Sequence, residues 1–164
     1  MNPHPHASSI INDELAEHFF GRRPFGEPEY QRSERNKGLK SVVETVLTML
    51  KSAGIVKSSG SSPDHQGEQT WHATCHVDSL GHTTARVLLK SEGVSLICEA
   101  YRLEATHPVV VVPAELYWSP NVRHGWVGPR IARDRDQEWV REPAEAVVTR
   151  AILKALDAAA PDEP

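Results

Sequence analysis

Apolar positions first recur at helical spacing. Ile11, Leu15 and Phe19 stand four apart and predict a short helix over 10–20, which Gly21 can end. Residues 21–37 hold two Pro, two Gly and many charges, and read as an irregular connector. Leu39, Val43, Val46, Leu47 and Leu50 then form an apolar stripe, the clearest helix of the chain. Ser41 with Glu44 fits a capping box at its start, with Asn36 as the alternative cap. Gly54 stands where a left-handed C′ residue belongs, and Leu50 and Ile55 are the contact pair of a Schellman ending. Residues 57–69 lack any hydrophobic residue and read as a surface loop.

The period then becomes two. Trp71, Ala73, Cys75 and Val77 alternate with His72, Thr74, His76 and Asp78. Thr83, Ala85, Val87 and Leu89 resume the pattern, as do Val94, Leu96, Cys98 and Ala100. A three-residue loop at 79–81 pairs Asp78 with His82, and a hairpin at Glu92-Gly93 places Ser91 opposite Val94. These registers keep one buried face continuous. They set Cys75 and Cys98 on the two outer strands of a meander, about 10 Å apart, beyond the roughly 7 Å a disulfide spans. Two reduced, buried thiols follow.

Pro108 to Pro113 encloses four valines and predicts a fourth strand buried on both faces. Residues 114–118 read as one helical turn, and Ile131 to Val140 as a hairpin turning at Asp134–Gln137. A last helix spans about 143 to 159, with Pro143 at its start and Val148, Ile152, Leu156 and Ala159 on its buried face. The fold class is therefore α+β: an antiparallel sheet of about four strands, with N-terminal helices and a C-terminal helix packed on one face. One domain covers 10–160, between loose ends at 1–9 and 161–164. The order resembles small chaperones and immunity-type proteins in outline only.

Composition narrows the function classes. The 164 residues carry 18 Lys+Arg against 22 Asp+Glu, a net charge of −4 that disfavours a dedicated nucleic-acid coat. The sum hides basic stretches at 21–40 (Arg22, Arg23, Arg32, Arg35, Lys37, Lys40) and 121–141. No run of about 18 apolar residues spans a bilayer, and MNPHPH lacks the charged and apolar regions of a secretory signal, so a cytoplasmic location is expected. Phosphate-cradling glycine loops, HExxH and G-x-S-x-G motifs are absent.

Two constellations have chemical potential. On the outer sheet face, His76, Asp78, His82, Arg86, Glu99 and Tyr101 share one surface, the raw material of acid–base catalysis or an ordinary solvated face. Zinc is disfavoured, since in a strand Cys75 points away from His72 and His76. In 117–141, Tyr117 and three Trp interleave with five Arg, the residue types of interface hot spots. The expected binding residues are Trp118, Arg123, His124, Trp126, Arg130, Arg133 and Trp139, engaging a protein partner or a second copy. Asp134, Asp136 and Glu138 among the arginines reduce attraction for phosphate. The expectation is a small non-catalytic binding protein of adaptor, inhibitor, immunity or chaperone type, without metal or cofactor. The alternatives are nucleic-acid binding through 22–40 and 123–141, and an enzyme on the outer sheet face.

Overall fold

The computed structural model describes residues 29–62, 69–76, 82–92, 95–133 and 139–160. The helix expected over 10–20, the chain ends and Asp78 lie outside these. The fold is α+β, as the periodicities predicted. Helix α1 (Glu29–Ser52) precedes a five-stranded antiparallel meander of β1 (Val56–Ser61), β2 (Gln69–His76), β3 (Thr83–Glu92), β4 (Ser95–Arg102) and β5 (Val110–Ala114), paired in sequence order. A second antiparallel sheet of β6 (Tyr117–Trp118), β7 (Trp126–Arg133) and β8 (Trp139–Pro143) follows, and helix α2 (Ala144–Ala159) ends the described chain.

Helix α1 begins at Glu29, well before the expected caps, so Asn36, Ser41 and Glu44 are interior to it. Part of the stretch read as connector is thus helical. Glu34, Arg35 and Lys37 are good helix formers, and the packing of Arg35 and Gly38 against His124 and Trp126 outweighs the weak local signal. The C-terminal end matches expectation. Gly54 is left-handed (φ 80°), the Ile55 amide donates to the Leu50 carbonyl at 2.9 Å, and the Gly54 amide donates to Lys51 at 3.1 Å. This cap turns the chain straight into β1.

β1 occupies sequence expected to be loop. Only Val56 of its six residues is buried, so no apolar alternation marks it; pairing with β2 makes it a strand. The β2–β3 register is the predicted one through Cys75↔Ala85, with a bulge that sets His76 opposite Thr83 rather than Thr84. The β3–β4 register is two residues from expectation: Glu92 faces Ser95, Arg86 faces Tyr101, and Leu88 faces Glu99. A slip of two preserves every face, so the alternation could not detect it. β5 is an edge strand, not one buried on both sides. Val112 and Ala114 point inward, while Val111 is 49% exposed. Residues 117–118 are strand rather than helix, because Trp118 pairs with Trp126. The hairpin after Ile131 is present, with Arg133 opposite Trp139.

The core lies between the five-stranded sheet and the helices. Sheet residues Val56, Trp71, Val87, Leu89, Leu96 and Cys98 are buried there. α1 adds Leu39, Val42, Val43, Val46, Leu47 and Leu50. α2 adds Val147, Val148, Ala151, Ile152, Ala155, Leu156 and Ala159, and it packs on β3, β4 and β5. Full burial of each Val, Leu or Ile contributes about 1.5–3 kcal/mol. Cys75 and Cys98 are reduced and buried, as expected.

Candidate partner-binding surface

The small sheet packs on the helices, not over the His-bearing face of the large sheet. It separates the expected binding residues into two groups. Trp118, His124 and Trp126 gather against α1, and Arg123 is exposed beside them. Arg130, Arg133 and Trp139 lie on the β7–β8 ribbon.

The first group is built around a turn. Residues 119–125 close through Ser119 N–H to Gly125 O (2.6 Å) and Gly125 N–H to Val122 O (3.0 Å). His124 (φ 52°) and Gly125 (φ 80°) are both left-handed. Gly125 is required twice over, since a Cβ there would meet the Trp118 ring at 2.1 Å. His124 tolerates the region better than a branched residue would, at some cost in strain. Its Nε2 is 3.5 Å from Glu145, and its buried Nδ1 has no hydrogen-bond partner. Trp118 and Trp126 meet edge to face, 5.5 Å between centroids.

Trp126 was expected at the partner surface. It is instead 3% exposed, and its indole N–H donates to the Arg35 carbonyl at 3.0 Å. It anchors the small sheet to α1 and offers no free ring. Beside it, Trp118, Pro120, Val122 and His124 face Lys37 and Ser41 across a cleft of about 450 Å³.

The outer half of the ribbon is exposed. Ile131, Ala132 and Arg133 are consecutive and all exposed, Ile131 at 59%, and Val140 across the ribbon is 41% exposed. A strand with one covered face alternates; this stretch of β7 does not. Nearer the body, the Arg141 guanidinium donates to Gly128 O at 3.0 Å and lies 5.5 Å from the Tyr117 ring centre. Burial, with the Glu115 carboxylate beside it, pushes the Tyr117 hydroxyl up to about 12.

The outer face of the large sheet carries a closed polar ladder. Arg86 stacks on Tyr101, 4.2 Å from the ring centre, and donates to Ala105 O at 2.9 Å. Tyr101 donates to Glu99 Oε1 at 2.9 Å, and Lys90 reaches the same oxygen at 3.0 Å. Burial and Glu99 raise the Tyr101 pKa. The shifted register thus pairs Glu99 with Lys90 rather than Arg86, and these four groups engage one another, while the buried Nδ1 of His76 has no hydrogen-bond partner. Cys75 points inward while His72 is exposed on the other side, and among the described residues no three His, Cys, Asp or Glu side chains converge as a metal site.

Sequence reading missed two surfaces. Met49 (49% exposed) and Leu153 (41%) flank an apolar hollow between the helices; Met49 stands off the stripe of α1, which was the available signal. Two crevices between α1 and β1 carried no signal, since β1 itself was unseen. No protein family, no curated protein and no solved structure matches the chain.

Proposed function

We propose that this chain is a small cytoplasmic, non-catalytic protein-binding module whose contact element is the outer half of the β7–β8 ribbon. The observation that supports this is the exposure of Ile131, Ala132, Arg133 and Val140 on a two-stranded ribbon. Two strands alone are marginally stable in water, and exposed Ile and Val on such an element gain from a cover. Interleaved Arg supplies the polar rim, and the Trp118–Trp126 pair fixes the ribbon's base on α1.

Nucleic-acid binding has weaker support. Arg35 is buried, and Lys37 pairs loosely with Glu34 at 3.9 Å. The outer sheet face has weaker support as an active site, because its charged groups are spent on one another.

The test is a photo-crosslinking residue at Arg133 in cells producing the chain. The expected product is one discrete protein adduct that Ile131→Asp abolishes while the thermal midpoint stays unchanged. An adduct with nucleic acid, or adducts insensitive to Ile131→Asp, would refute the reading. An adduct with a second copy would make the module a homodimer through the same ribbon.

A further inference from the structure

The two edges of the large sheet are guarded differently. β5 carries Pro113 within the strand and Pro108 just before it, and a proline withholds the N–H that an added strand needs. β1 has a bulge between Val56 and Ser58 and one charge, Lys57, at its start. Beyond these, Ser58, Ser59, Gly60, Ser61 and Ser62 offer small side chains and no proline. Their paired side faces β2, where Ser62 N–H donates to Thr70 O at 2.8 Å and Ser58 Oγ lies 2.7 Å from Thr74 Oγ1. Among the described residues no strand occupies the other side.

Helix α1 packs alongside β1. The Gly54 cap sends β1 back along α1, and two crevices lie between them. One, of about 370 Å³, has Lys37 and Lys40 of α1 facing Ser61 and Ser62. The other, of about 260 Å³, has Glu44 and Thr48 facing Ser59 and Gly60. Ser61 borders both, so the two crevices adjoin along β1, and together they are called the trough. Trp71 lies in its wall, and the buried indole N–H has no hydrogen-bond partner. The charges are ordered along it: Lys37 and Lys40 at the Ser62 end, then Glu44. Lys40 and Glu44 are four helical residues apart, about 6 Å along the axis. Same-face residues of a strand repeat at about 6.8 Å.

We infer that this trough docks an extended segment of another polypeptide, pairing antiparallel to β1, with an acidic side chain against Lys40 and a basic side chain two positions later against Glu44. Main-chain pairing with β1 supplies affinity, and the two charges set direction and register. The small side chains of β1 leave room for the incoming strand. A second copy does not meet the requirement: nowhere in the 164 residues is an Asp or Glu followed two positions later by Lys or Arg. This inference is independent of the ribbon, so either can fail alone.

The probe is the acetylated, amidated hexapeptide Thr-Asp-Thr-Lys-Thr-Val, with Thr-Lys-Thr-Asp-Thr-Val as its charge-exchanged control, titrated into the full chain and followed by amide chemical shifts. Shifts should gather at Ser58–Ser62 and along Lys37–Thr48, and the control should bind about tenfold more weakly. The double variant Lys40→Glu/Glu44→Lys alters two exposed side chains, so its unchanged thermal midpoint is checked first. It should reverse the preference between the peptides. Ile131→Asp should leave both affinities as they were. Equal binding of the two peptides, a preference that the double variant does not reverse, or shifts away from β1 would overturn the inference.

Discussion

Gly38→Ala sets two rules of opposite sign against each other. Gly38 is inside α1, where replacing Gly by Ala favours the helix by about 1 kcal/mol. On propensity alone, the variant should be more stable. A Cβ at position 38, however, would stand 1.9 Å from the His124 carbonyl oxygen and 3.2 Å from Cδ1 of Trp126. The obstacle is backbone, not the end of a flexible side chain. The turn cannot retreat cheaply, because Gly125 is wedged under the Trp118 ring and Trp126 is tied to Arg35 at 3.0 Å. Overpacking of this kind costs about 1–3 kcal/mol. If the turn moves, the buried Trp126 N–H loses its partner, at about 1–3 kcal/mol more. Against the gain of about 1, a net loss of about 2 kcal/mol is expected, or roughly 4–8 °C in thermal midpoint for a chain of this size.

Thermal and urea denaturation of G38A against the parent chain measure this. Gly54→Ala is the natural companion, because a Cβ there meets nothing within 4 Å while φ is 80°. Its loss of about 1–2 kcal/mol comes from backbone conformation alone. Equal or greater stability of G38A would refute the reasoning: helix propensity would then prevail, and the seat of the turn on α1 would be loose.

Other consequences are separately measurable. Burial pushes Cys75 up to about 11 and Cys98 up to about 12, so iodoacetamide at neutral pH should label neither in the native chain and both after denaturation; rapid native labelling of either would contradict the packing. Ile152→Ala, at a fully buried site of α2, should cost about 2–5 kcal/mol. Ile131→Ala, at an exposed ribbon site, should stay within about 0.5 kcal/mol, and a larger loss there would mean that the ribbon is covered within the chain. Arg150 grips Glu142 with both guanidinium nitrogens and lowers the carboxyl pKa. A depressed folded pKa makes the contribution complete above the ordinary value of about 4.3, and it fades as pH falls through the folded value. The stability of E142Q should therefore lie slightly below that of the parent at pH 7 and converge with it as pH falls below the ordinary carboxylate range; an unchanging gap would exclude this pair as the cause.

Elements whose signal is local were legible. The Gly54 cap follows from one glycine and its neighbours, and the buried stripe of α2 from a 3.6-residue period. The β2–β3 register follows from the two buried sets that must share a face. Elements decided by distant partners were not. β1 is a strand because β2 pairs with it, and its Ser-Gly sequence has almost no apolar content to show this. The early turns of α1 hold because the 119–125 turn and Trp126 pack on them, from some 90 residues away. Alternation specifies a face and not a partner, which is why β3–β4 could be two residues out of register while Ala85, Val87, Leu89, Leu96, Cys98 and Ala100 are all inward as expected. The Trp/Arg segment was legible as unusual, but a Trp that anchors and a Trp that contacts a partner look alike in sequence. The burial of Trp126 and its hydrogen bond to Arg35 separate them.

The proposed surfaces coincide with places where local rules are broken. A glycine inside a helix, a left-handed histidine, two exposed β-branched residues on a ribbon and a Ser-Gly edge strand each forgo stability that a plainer sequence would keep. The first two have an internal reason, since both let the turn sit on α1. The last two have none within the described chain, and an external partner is the physical reason that fits. α1 links the cases. Lys37 borders the cleft beneath Trp118 and also the trough beside β1, and Gly38 follows it. A change that lifts the turn from Gly38 therefore disturbs the helix surface on which Lys37 and Lys40 are mounted. G38A should weaken the Asp-Thr-Lys peptide as well as the fold, whereas Ile131→Asp, out on the ribbon, should do neither.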